Sequence, residues 1–416
     1  MSAAAPTAPT ANSFRTDATV ISLVGFAHGT SHFFHFVMPP LFPWFMRDFG
    51  LTFTQAGAAM TVFFVVSGVG QALAGFVVDR VGGFRVLAGG ITLLSLAAMA
   101  LSGAQNYAML LGAAAVAGLG NSVFHPADFA ILNRRVSTNR LGHAFSVHGL
   151  TGSLGWAAAP VFVIAIAQAW SWRAATFSAG LVGLVALSFL VLNRNVIADT
   201  SAGVDRARRG GGSFSFLRVG AVWLCFGFFL VAVMAFGGLQ NFAAPVFERA
   251  YGVSLAVAAS GLTAYLLGSA AGTGTGGFFT RGERQERLVA IALGSAALCS
   301  IALATAALPV WTIVGLMGLM GFGVGFSGPS RDILVRRAAT STFGASAYGR
   351  VYGFVYSGVD TGLALAPLAF GPLMDAMRYS QVLWGVATLQ GLAIFMALAV
   401  GWRAAAMTAR PPATSA

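Results

Sequence analysis

Apolar residues fall into twelve runs of about 20 or more positions, at 18–41, 54–78, 84–104, 107–133, 142–169, 172–193, 218–243, 254–279, 286–307, 310–336, 346–374 and 379–404. A hydrocarbon core about 30 Å thick is crossed by about 20 helical residues rising 1.5 Å each, so each run predicts a transmembrane helix. Most connections are short and carry Gly, Pro, Asn or Arg, as membrane hairpins do. The exception is 194–217, NRNVIADTSAGVDRARRGGGSFSF, which lacks apolar periodicity and divides the runs six and six. The pattern predicts an all-α polytopic membrane protein with six-helix halves at 18–193 and 218–404 and a linker at 194–217. The stretch 1–17 reads as a disordered tail and 405–416 as a second short tail, both cytoplasmic.

The two halves repeat one another. Gly75–Leu87, GFVVDRVGGFRVL, is a tight polar turn with Gly75, Asp79, Arg80, Gly82 and Arg85 in fixed spacing. A degraded copy stands 201 residues later, where Gly276, Arg281 and Leu288 take the places of Gly75, Arg80 and Leu87. Pro43 and Phe49-Gly50-Leu51-Thr52 match Pro245 and Tyr251-Gly252-Val253-Ser254 at an offset of 202, and Pro126 matches Pro329. Gly142, Gly155 and Pro160 match Gly349, Gly362 and Pro367 at an offset of 207. Matches that recur in order point to duplication.

Composition agrees with a membrane protein. The chain is 57% hydrophobic and 9% charged with mean hydropathy +0.79, too few charges to cover a soluble surface of 416 residues. The net charge of +12 comes from 24 basic residues, all Arg and dispersed along the chain, which argues against a nucleic-acid partner. With the N-terminus in the cytoplasm, 20 of the 24 fall on the cytoplasmic side. Cys225 and Cys299 lie in apolar runs and imply no disulfide. No phosphate-binding Gly-x4-Gly-Lys motif occurs, and the chain has no lysine, so it reads as neither an ATP-driven pump nor an enzyme, and no cofactor is implied.

Two six-helix repeats, a long central loop and the Gly75–Leu87 turn resemble the major facilitator superfamily across 18–404, with Thr280 replacing the expected acid in the second copy. Gly120–Asp128 (GNSVFHPAD), followed by Leu141-Gly142 and Ser146-Val147-His148-Gly149, resembles the fosmidomycin-resistance-like efflux branch. The resemblance implies alternating access by two rocking bundles, with the first, fourth, seventh and tenth helices lining a central cavity. It also implies that Asp79 latches the halves near Tyr348–Arg350 while the transporter opens outward. The fifth helix, with Gly149, Gly152, Ser153, Gly155, Ala159 and Pro160, resembles the antiporter-associated motif of exporters, though Ala159 stands where that motif has Gly before Pro.

Polar side chains at membrane depth are costly and mark functional positions. His28, His32 and His35 recur at i, i+4 and i+7, a sector about 60° wide, and Asn121, His125 and Asp128 repeat the spacing. Together with His148 they read either as proton carriers in the cavity or as packing groups hydrogen-bonded between helices. A metal is a third reading of the His28–His32 spacing. Without a Cys or an acidic partner beside it, the expectation is no metal. Asp128 reads either as part of this cavity or as an interfacial charge paired with Arg134 or Arg135.

Asp360 lies mid-helix, with Tyr348, Tyr352 and Tyr356 stepping towards it, and its repeat position holds Ser153. It reads as a coupling or substrate-contact residue. The sequence thus predicts a monomeric secondary transporter of the bacterial inner membrane that exports a small organic compound in exchange for protons. Uptake of a small organic anion by proton symport and a transport-dead receptor are the alternatives.

Overall fold

The computed structural model describes residues 13–137, 140–198, 218–279, 284–343 and 348–408, and no strand occurs among them. The first half contains α1 (Phe14–His35), α2 (Phe42–Phe49), α3 (Phe53–Val81), α4 (Gly83–Ser102), α5 (Tyr107–Asn121), α6 (Phe124–Arg135), α7 (Leu141–Ala169), α8 (Trp172–Leu192) and the single turn α9 (Arg194–Ile197). The second contains α10 (Gly220–Tyr251), α11 (Leu255–Gly276), α12 (Gln285–Ala304), α13 (Thr312–Phe343), α14 (Tyr348–Asp375) and α15 (Tyr379–Thr408). Among the described residues, eleven stretches are long and apolar enough to cross a bilayer, α5 and α6 counting as one. The twelfth crossing expected from sequence is α1, whose three histidines dilute its hydropathy; it packs along α7 inside the bundle.

Several boundaries differ from the sequence expectation, each for a local reason. Ser13 caps α1 by accepting from the Thr16 amide. Asp17 is fully buried, accepting from the Ser137 amide and from Arg140 Nη1 at 2.8 Å. Residues 13–17 are therefore anchored and not part of a tail. The first run stops at His35 rather than 41, because Pro39, Pro40 and Pro43 turn the chain through a 3-10 segment into α2. The helix α15 continues to Thr408, into the stretch expected as tail, whereas 199–217 of the linker lies outside the described residues.

The repeat is visible in backbone geometry. α2 and α10 both end on a left-handed glycine, Gly50 at φ +65° and Gly252 at φ +67°. Thr52 and Ser254, two residues on, cap α3 and α11 by accepting from the amides of Gln55 and Val257.

The halves meet along two seams, α3 against α14 and α7 against α11. At the end of the bundle carrying the α2–α3 turn, Asp375 of the second half reaches the start of α3. Its carboxylate accepts from the Phe53 amide at 2.5 Å, the Thr54 amide at 3.1 Å and the Thr54 hydroxyl at 2.5 Å. Those amides are among the donors a helix start leaves unsatisfied, and the helix dipole favours a negative charge there. Near the same end, Thr61 Oγ1 donates to the Ala364 carbonyl and Gln240 Nε2 to the His35 carbonyl. This end of the two-half assembly is sealed.

Candidate functional site

The polar site grows from a helix break and a close helix approach. Pro126 has no N–H to offer the Ser122 carbonyl four residues earlier, and the fourth apolar run divides there, at Ser122–Val123. The new helix, α6, carries His125 and Asp128 towards α1 and α7. Those two helices touch backbone to backbone, since Gly155 leaves no room for a Cβ against the Gly29 carbonyl. A Cβ at Gly152 would stand 2.7 Å from His32 Nδ1 and 3.0 Å from His28 Nε2, so two imidazoles lie flat against a helix that only glycine lets them approach.

At the centre is Asp128, fully buried. Its Oδ2 hydrogen-bonds His148 Nε2 at 3.0 Å and lies 3.2 Å from His28 Nδ1. The rings of His28 and His148 stack at 3.5 Å; His32 lies 4.2 Å from His28 and stacks on Trp156 at 4.3 Å. The expectation of a surface charge paired with Arg134 or Arg135 does not hold for Asp128, which turns inward to two imidazoles, while Arg135 donates to the Asn195 and Val196 carbonyls. No Cys joins the histidines, as expected, but an acidic partner does: the fold brings Asp128 to His28 from 100 residues away. The donor atoms of His28, Asp128 and His148 lie within 4.8 Å of one another, as do those of His28, His32 and His125.

His35 differs from its neighbours. Its Nδ1 accepts from the Trp156 indole at 3.2 Å and its Nε2 faces Asn121 Oδ1 at 2.9 Å, while Asn121 Nδ2 donates to Ser67 Oγ at 2.9 Å. A ring whose Nδ1 accepts from an indole is a neutral Nε2–H tautomer. His35 and Asn121 thus join α1, α3, α5 and α7 as a packing network.

On the open edge, exposed His125 directs Nδ1 at Gln71 Oε1, 3.1 Å away. The other end of that amide, Nε2, donates to Asp360 Oδ2 at 3.4 Å. Asp360 is on α14, so one glutamine of α3 links the first half's histidine cluster to a carboxylate of the second half. A Cβ at Gly68, one turn away on α3, would stand 3.3 Å from Asp360 Cβ. Tyr356 packs on the Phe229 ring at 4.7 Å, and the Arg331 guanidinium lies over the same ring, 4.6 Å from its centroid.

Of the turn residues expected to latch the halves, Arg80 and Arg85 are exposed, and Gly82 holds φ +93° where α3 passes into α4, a conformation other residues rarely adopt. The surroundings of Gly75 and the side chains of Asp79, Tyr352 and Tyr348–Arg350 fall outside the described residues. Sequence reading missed Ser67, Gln71, Trp156, Gln240 and Asp375. The signal for the first two was present: Ser67 and Gln71 stand one turn apart as the polar pair of an otherwise apolar stretch of α3.

Comparison with known proteins agrees with this architecture. The family model for the Major Facilitator Superfamily matches residues 23–367. A multidrug resistance protein B homolog of Mycobacterium tuberculosis (strain CDC 1551 / Oshkosh) is 30% identical over 31% of this chain and 24% of its own length. The fosmidomycin resistance protein of Escherichia coli (strain K12) is 29% identical over 36% of this chain and 37% of its own. The chain thus aligns with well under half of either relative. A crystal structure of a bacterial homolog to the human lysosomal transporter Spinster, in an inward-facing and occupied conformation, superposes with TM-score 0.74 and 14% identity over 95% of this chain and 98% of that one. A family match over 23–367, a duplicated six-helix plan and a shared fold along nearly the whole chain lead to one conclusion: this protein belongs to the major facilitator superfamily, a family of transporters and not of enzymes.

Proposed function

We propose that the protein exports a small organic compound across a bacterial inner membrane in exchange for protons, with both termini in the cytoplasm. The observation that carries this reading is the Gln71 bridge, His125 to Gln71 to Asp360, because it spans the two bodies that must rock. A charged carboxylate only accepts, here from the Gln71 amide; protonation leaves an acceptor oxygen but removes the charge and adds an O–H donor, which weakens that hydrogen bond and lets Asp360 turn to another partner. Proton occupancy of Asp360 then decides whether α3 and α14 are tied at that level of the seam. Such a group biases a two-state equilibrium through its differential contacts in the two states.

The orientation rests on the arginine bias, 20 of 24 on the side of the termini. The end tied by Asp375 is then the outer one, which fits the inward-facing conformation of the Spinster homolog of similar fold. The export direction draws on the names of the relatives, a multidrug resistance protein and a fosmidomycin resistance protein. The Trp156 and Phe129 rings packed against the histidine cluster suit an amphipathic or weakly anionic compound.

The test is reconstitution of wild type, Asp360→Asn and His125→Ala in vesicles with a pH dye inside, screened against compounds that include phosphonates. Wild type should move protons opposite to the compound, and Asp360→Asn should not. Protons travelling with the compound would indicate symport. A compound that crosses on wild type with no proton movement would overturn the coupling.

A further inference from the structure

We propose that His28, Asp128 and His148 form a binding site for a divalent transition-metal ion of the zinc type, built wholly within the first half between α1, α6 and α7. The geometry is that of a chelate. Bonds of about 2.0–2.1 Å in a tetrahedral site separate neighbouring donors by about 3.3 Å. Asp128 Oδ2 lies 3.2 Å from His28 Nδ1 and 3.0 Å from His148 Nε2, near the separation of donors that share one ion; the stacked rings of His28 and His148 fan apart for both nitrogens to point at it.

Burial supplies a second, independent observation. The three residues are 2%, 0% and 5% exposed, yet His28 Nδ1, His32 Nδ1 and Asp128 Oδ1 are buried with no hydrogen-bond partner among the described residues. Buried polar atoms are normally satisfied, and a network satisfied by protein alone would not leave three unpaired donors or acceptors in one cluster. His28 Nδ1 faces the carboxylate within ion-pair distance but without hydrogen-bond geometry, which suits an atom aimed at a point between the ligands and not at the oxygen itself.

The donor set, two imidazoles and a carboxylate, selects a borderline ion over magnesium or calcium, whose sites are all oxygen. Three protein ligands leave a fourth position open, the arrangement that admits an outside ligand. His32 and exposed His125 also flank His28, with ring centroids 4.2 and 5.4 Å from its ring, and their donor atoms lie within 4.8 Å of one of its own.

This site stands apart from the coupling assigned to Asp360, because metal binding is read without any transport. Tag-free protein in detergent is titrated with Co(II), and the visible ligand-field bands of four-coordinate cobalt are followed, then displaced with Zn(II). One ion per chain is expected, with the bands lost in Asp128→Asn and in His148→Ala and retained in His143→Ala, which alters an exposed histidine outside the cluster. X-ray absorption on the wild-type zinc form should add the outer-shell scattering of two imidazoles, a readout that needs no variant to fold. Absence of stoichiometric cobalt binding by wild type overturns the proposal. So does binding that survives Asp128→Asn, is lost in His143→Ala, or shows no imidazole scattering.

Discussion

At Asp375, a single carboxylate from one half serves the start of a helix in the other, accepting three hydrogen bonds from Phe53 and Thr54. Loss of an N-terminal cap costs about 0.5–2 kcal/mol, and here that energy holds the two halves together at one end. Asp375→Ala should shift the protein towards the state open at that end by up to about 30-fold. An impermeant thiol reagent reaching a cysteine placed at Thr61 measures it; unchanged labelling would remove Asp375 from the seal. His35 makes a different point. Both its ring nitrogens are occupied, so His35→Phe leaves the Trp156 N–H and Asn121 Oδ1 unpaired, at about 1–3 kcal/mol for each buried group. Thermal stability should fall while the pH profile of transport keeps its shape, and a displaced profile would return His35 to the proton carriers.

Among the elements, the break between α5 and α6 is the one that builds the site. Pro126→Ala restores the N–H that the Ser122 carbonyl lacks, straightening the helix and drawing Asp128 away from His148. Transport should drop while the thermal midpoint holds or rises, as expected where a local strain serves function; wild-type transport from a stable Pro126→Ala protein would show that the break is incidental. α2 is held differently. Burial pushes the Asp48 carboxyl up, but the Trp172 indole at 2.7 Å and the Arg47 guanidinium hold it below the ordinary carboxylate range. A depressed carboxyl stabilises the fold above its unfolded pKa, and that contribution is lost as pH falls through the folded value. Protection of the α2 amides, measured against their intrinsic exchange rates, should therefore fall below about pH 4, and Asp48→Asn should remove that fall.

Much of the element plan was legible because it is written locally. Apolar runs report helices; Gly50 and Gly252 report the left-handed ends they form; histidines at i, i+4 and i+7 report one face. The parts that were not legible are contacts between distant residues. Nothing near Asp375 in the sequence points to Phe53, 322 positions away, and nothing near Asp128 says that it faces His28 rather than Arg134. Gln71 matters only because α14 lies opposite it. The fold class was therefore readable from periodicity, whereas the site needed the packing of α1, α3, α6, α7 and α14.

For the whole molecule, two devices would govern the exchange of states. One is the polar turn between α3 and α4, where Asp79→Asn should abolish transport at normal membrane levels if it latches the halves; normal transport at those levels would sink the latch. The other is the Gln71 bridge, through which a carboxylate in one half reports its proton to the other. The decisive measurement is the ratio of protons to compound moved by Gln71→Leu in dye-loaded vesicles, against wild type. The account predicts that the compound still crosses down its gradient while its coupled proton flux is lost. An unchanged ratio would mean that Asp360 and the histidine cluster act without the bridge, and the coupling mechanism would be wrong.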